Sequence, residues 1–125
     1  MKSLIMPFII PLFLLNSNCN NKTGKAGSKP TILDSIPACL KQQIETFSKK
    51  EAVNPPVQVD EYRYKGKRVF LFTADCCDQF DMLYDDSCNV LCAPSGGLIG
   101  KGDMKCSDFK TASTFVKLVW KAPGK

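Results

Sequence analysis

The chain has 125 residues, 44% of them hydrophobic, a formal charge of +5 and no histidine. That length holds one small domain and a leader, not two domains. The missing histidine excludes Ser-His-Asp and Cys-His catalysis and histidine zinc sites, and the mild, scattered positive charge makes no nucleic-acid footprint.

Met1 to Leu15 reads MKSLIMPFIIPLFLL, with Lys2 ahead of a short apolar run. The run is too short for a comfortable bilayer span, and Pro7 and Pro11 disfavour a membrane helix. Residues 1–18 are therefore expected to be a secretory signal. Cys19 follows directly and resembles the acylated lipobox cysteine of bacterial lipoproteins. Its surroundings depart from the usual pattern, with Leu15 one place early and Asn18 where Gly, Ala or Ser is common. Parity favours acylation: seven cysteines less Cys19 leave six, an even number suited to an oxidising compartment. Ordinary secretion with Cys19 as a spare thiol is the alternative. Removing residues 1–18 takes away Lys2 alone and leaves +4. Asn20 to Thr31 is polar and Gly-containing, and residues 19–34 are expected to be a lipid-anchored flexible tether.

Residues 35–121 are expected to form one domain. Asp34 to Lys50 carries the clearest helical period, with Ile36, Leu40, Ile44 and Phe47 on one face. Asp34 or Ser35 is the expected N-cap, with Pro37 in the first turn. Cys39 falls on the buried side and is placed to staple the helix to its support. Asn54-Pro55-Pro56 ends that element. Val57–Tyr64 and Lys67–Ala74 flank Lys65-Gly66, the signature of a type I′ hairpin. The implied register sets Tyr62 against Val69 and Val59 against Phe72. Both hairpin faces are partly apolar, so the helix should cover one and the cysteine-rich stretch the other. Tyr62 and Tyr64 read as packing residues before ligand contacts. Phe115 to Trp120 predicts a third strand with Lys117 and Lys121 guarding its edge, and residues 122–125 should fray.

Cys76 to Cys106 holds five of the seven cysteines among several Gly and Asp residues. Without helical periodicity, it is expected to be a loop subdomain held by disulfides. Three bridges would use Cys39, Cys76, Cys77, Cys88, Cys92 and Cys106; six cysteines allow fifteen pairings, and sequence does not choose. Adjacent Cys76 and Cys77 can staple opposite layers or act as a redox pair, though no Cys-x-x-Cys is present. Asp75, Asp78, Asp81, Asp85 and Asp86 are weak calcium candidates, but their spacing fits no EF-hand and turn roles are the expectation. No metal or cofactor is expected. Gly96, Gly97, Gly100 and Gly102 surround Lys101 with no helix pattern behind them, a turn-dense loop and not a phosphate cradle.

Asn54-Pro55-Pro56, Tyr64 to Val69, Cys76-Cys77-Asp78, Leu83-Tyr84-Asp85, Cys88, Cys92-Ala93-Pro94, Gly96-Gly97, Gly100-Lys101-Gly102-Asp103 and Cys106-x-Asp108-Phe109 together resemble a family of uncharacterised small domains in cell-envelope lipoproteins of Bacteroidota-type bacteria. The resemblance spans about Ile36 to Lys121 and implies compartment and fold unity, with no activity attached. A much weaker likeness is to Kazal-type protease inhibitors, around Tyr84, Cys88 and Cys106. There, Cys88 and Cys92 are separated by three residues where Kazal domains have two.

The expected fold is α+β: one N-terminal helix on a small antiparallel sheet, with a disulfide-rich loop subdomain. The expected function is a non-catalytic binding or interaction module of the cell envelope, on the periplasmic or outer-membrane side, tethered to the membrane by lipid. Its ligand would be a protein or glycan, not nucleic acid. A Kazal-like inhibitor and a thiol/disulfide redox protein using Cys76 and Cys77 are the alternatives.

Overall fold

The computed structural model describes residues 35–76 and 78–125. The expected signal, Cys19 and the tether lie outside the described residues, as do Asp34 and Cys77. The domain is α+β, with helix α1 (Ala38–Ser48), strands β1 (Gln58–Tyr64), β2 (Lys67–Thr73), β3 (Phe80–Asp85) and β4 (Val90–Gly96), a four-residue helix α2 (Phe109–Ala112) and strand β5 (Ser113–Lys121). The strands form one antiparallel sheet in the order β4-β3-β2-β1-β5.

The β1–β2 hairpin forms where expected. Tyr62 faces Val69 and Val59 faces Phe72. Lys65 and Gly66 both have positive φ, at 50° and 75°, as a type I′ turn requires. The pleat then sends Val59, Phe70 and Phe72 to one face and Tyr64 and Val69 to the other. Each set has its own core. Val59, Phe70 and Phe72 pack with Ile36, Leu40, Ile44 and Val119. Tyr64 and Val69 pack with Leu83, Cys92, Cys106 and Phe109.

The helix is shorter than its period suggested. Its N-cap is Pro37, with no side-chain cap. Ser35 is drawn elsewhere: its carbonyl accepts from Arg68 at 2.5 Å and its hydroxyl accepts from Lys117 at 2.6 Å. The far end closes as a Schellman turn. Lys50 N–H donates to Phe47 O, Glu51 N–H donates to Thr46 O, and Lys50 takes φ 58°.

The cysteine-rich stretch contains more regular structure than expected. Two strands, β3 and β4, extend the same sheet beyond β2. In β3, Leu83 points to the second face and is fully buried. Asp85, pointing the same way, accepts the N–H groups of Ser87 and Asn89 and shapes the β3–β4 turn. Pro94 sits in edge strand β4, where a missing N–H is tolerated.

From β4 the chain must cross to the opposite edge of the sheet to start β5. Four strand spacings make that roughly 19 Å. The crossing runs over the second face and carries Cys106 and Phe109 into its core. β5 then pairs with β1 through two register shifts. Lys121 stays exposed on this edge strand, whereas Lys117 turns inward to within 3.7 Å of Glu61. The last residues are held at two points: Ala122 N–H donates to Val57 O, and Lys125 pairs with Asp75 at 2.8 Å. Among the described residues, no helix is long and apolar enough to cross a membrane.

Candidate functional site

The crossing over the second face covers only part of it, and the uncovered part is a groove of about 770 Å³. Its floor is Tyr62 from β1, Leu71 from β2 and Phe115 from β5, with Phe109 as its inner wall. These rings meet edge-on. Tyr62 lies 5.2 Å from Phe109 and 5.6 Å from Phe115, and Phe109 lies 5.2 Å from Tyr64. Such contacts fix ring orientation as well as adding apolar area. Tyr62 is half-buried, whereas Phe115 is 55% exposed.

What holds the inner wall is a small polar anchor. Asp108 precedes α2 without capping it. Its carboxylate instead accepts from the Tyr64 hydroxyl at 2.5 Å and pairs with Lys65 at 3.0 Å. Those contacts tie α2 to the tip of the β1–β2 hairpin, and hydrogen bonding from Tyr64 holds the Asp108 carboxyl below its ordinary range. The Cys92–Cys106 disulfide closes the same region from the β4 side.

The outer rim comes from the glycine-rich loop. Gly96, Gly97, Gly100 and Gly102 all have positive φ, as the turn-dense reading requires. Gly102 is the tightest place, because a Cβ there would run into the carbonyl of Ala93. Asp103 N–H donates to that same carbonyl at 2.9 Å, and Gly102 N–H donates to Gly96 O at 3.0 Å. The loop so pinned delivers Lys101 and Met104 to the groove, and α2 adds Lys110. Neither lysine has an ion-pair partner among the described residues. Ser95 also lines the groove, but its hydroxyl is committed to Asp81 at 2.6 Å.

Two acidic groups lie near the floor. Asp60 is 5% exposed, and its Oδ1 has no hydrogen-bond partner among the described residues, while Oδ2 accepts from Gln58 at 2.6 Å. Burial, reinforced by the Asp60 charge, pushes the Tyr62 phenol up. Asp81 is already satisfied by Ala74 N–H at 2.8 Å and by Ser95.

The residues picked out from sequence fall in several places. Cys39 pairs with Cys88, joining α1 to the β3–β4 turn, and Cys92 pairs with Cys106. Cys39 is exposed, not on the buried face, so its bridge runs along the rim of the core. Cys76 is exposed in the β2–β3 connection. The five aspartates are not gathered into one cage. Asp75 pairs with Lys125, Asp81 and Asp85 accept local N–H groups, and Asp78 and Asp86 are exposed. Among the described residues no three acidic, cysteine or histidine side chains come together to hold a metal. Sequence reasoning did not reach Met104, Lys110 or Phe115 as groove residues. The signal for them is the topology of the crossing, which local pattern does not carry.

The family described as a domain of unknown function, DUF6970, matches residues 45–122. The chain belongs to that family. The match runs from the middle of α1 to just beyond β5, so it takes in the whole sheet and every groove residue. No curated protein and no solved structure matches the chain.

Proposed function

We propose that this DUF6970 domain is a non-catalytic binding module of the cell envelope, displayed on an N-terminal lipid tether at Cys19. The observation that carries the binding part is the groove: an aromatic floor on a sheet, rimmed by two lysines without ion-pair partners among the described residues. Its volume is in the range of ligand sites, about 300–1,000 Å³. Its lining is apolar, aromatic, serine and lysine, and the one serine tied to a carboxylate, Ser95, has no histidine behind it. The apolar leader and the cysteine parity support the tether.

Two measurements test this reading. Methyl NMR of the full chain labelled at methionine, titrated with dodecanoate as an apolar-bodied probe, should move Met104 and leave Met82 in place. Absence of any shift at Met104 with dodecanoate and with an acidic peptide alike, or turnover of a substrate by purified protein, ends the binding-module reading. Intact mass of the envelope-extracted protein should show a diacyl addition at Cys19; an unmodified Cys19 ends the tether.

A further inference from the structure

Resting on the binding reading, we infer that the occupant of the groove is a polypeptide segment, one with an apolar anchor residue flanked by acidic residues. Charge placement sets the flanks. Lys101 and Lys110 stand at the rim without ion-pair partners among the described residues. Asp60 and Asp81 sit on the floor side, on the strands beneath. An anionic group is therefore welcome at the rim and repelled from the floor, while the aromatic floor takes an apolar side chain. A partner with that alternation matches both.

Exposure sets the size. Met104 is 64% exposed and Phe115 55% exposed, while Leu118, one β-bulge along β5, is 42% exposed. A small acid resting on the floor leaves much of this apolar surface in water, whereas a peptide crossing the groove covers it. Pairing of a further strand with β5 is a poorer fit. That edge carries two register shifts and an exposed Lys121, both of which discourage strand addition. The segment therefore lies across the face of the sheet, not along its edge.

The test uses the full chain, purified oxidised, and a fluorescent hexapeptide of sequence Glu-Asp-Leu-Phe-Asp-Glu read by anisotropy. A control peptide replaces each acidic residue by lysine. The acidic peptide should bind and the lysine peptide should not. The double variant Lys101→Glu/Lys110→Glu should weaken binding at least about tenfold, since two attractions become repulsions. Lys121→Glu, away from the groove, should change it less than about twofold. Binding should also weaken as salt rises from 50 to 300 mM, roughly the range over which surface charges become screened. Equal binding of both peptides overturns the inference, as does an acidic peptide indifferent to the double variant. Dodecanoate shifting Met104 while no peptide binds would overturn the peptide assignment and leave the binding module standing. Attachment to phosphatidylglycerol vesicles without peptide binding would replace a polypeptide partner by a lipid surface.

Discussion

The two faces of the sheet are built from the same hairpin, yet they are finished in different ways. Under α1, Phe70 and Val59 are completely buried, and Leu40 and Ile44 close over them. The buried carboxylate on this face, Glu61, is 4% exposed and held by Arg68 through two contacts of 2.8 and 2.9 Å, with Lys117 at 3.7 Å. Under the β4–β5 crossing, Leu83 and Val69 are equally buried, but the cover stops at Phe109 and the groove begins. Close cover by the helix makes a core around Phe70 and Val59. Partial cover by a crossing chain leaves a groove, its apolar floor carried by the strands beneath it. Each face also has its own disulfide, Cys39–Cys88 at the helix and Cys92–Cys106 at the crossing.

The sharpest way to break the comparison is to empty the first face. Phe70→Ala removes a ring with no exposure and should cost about 3–5 kcal/mol, read from the urea midpoint at unchanged slope. The disulfides come next. Cys39 and Cys88 are 49 residues apart and Cys92 and Cys106 are 14 apart. On chain entropy alone, replacing the first pair by serine should cost about 4 kcal/mol and the second about 3 kcal/mol. A reversed order would show that the crossing, not the helix, is the weaker part of the fold.

Glu61 gives a smaller effect with a defined pH sign. Hydrogen bonding from Arg68 holds its carboxyl below the ordinary range, against the opposite push of burial. A carboxyl with a depressed folded-state pKa stabilises the fold above its unfolded value, about 4.3, and that contribution is lost as pH falls through the folded value. Thermal midpoints should therefore drop on acidification below about pH 4.3. Glu61→Gln should lower stability at pH 7 by about 2 kcal/mol, the scale of a charged hydrogen bond, and should flatten part of that acid loss. The remaining slope belongs to Asp85, Asp103 and Asp108, all held below the ordinary carboxylate range, Asp85 and Asp108 chiefly by hydrogen bonds from Asn89 and Tyr64. An unchanged slope in the variant would mean that Glu61 is not coupled to folding.

The first face was legible in the sequence and the second only in part. The hairpin register and its turn follow from Lys65-Gly66 and the alternation around it, because both are local. The period of Leu40 and Ile44 is local as well. Strand β3 was hidden because Asp81 and Asp85 interrupt its apolar run; Asp81 is satisfied by the Ala74 N–H beyond β2, and Asp85 by N–H groups of the turn that follows it. The groove was hidden for a stronger reason. Tyr62, Phe109 and Phe115 come from β1, α2 and β5, and only the path of the crossing brings both phenylalanines within 6 Å of Tyr62. Nothing in the local pattern marks Asp108, yet it anchors α2 to the hairpin through Tyr64 and Lys65.

The smallest expected effect separates core from site most directly. Phe70 and Phe115 are the same residue type on the same sheet, at 0% and 55% exposure. Phe115→Ala gives up one edge-on contact with Tyr62 and little burial, so it should cost about 1 kcal/mol or less. The same substitution should still weaken the acidic peptide, because Phe115 supplies floor that the fold does not need. If its unfolding midpoint instead falls as far as that of Phe70→Ala, the second face is closed core. The groove would then be no place for a partner, and the difference between the two faces would disappear.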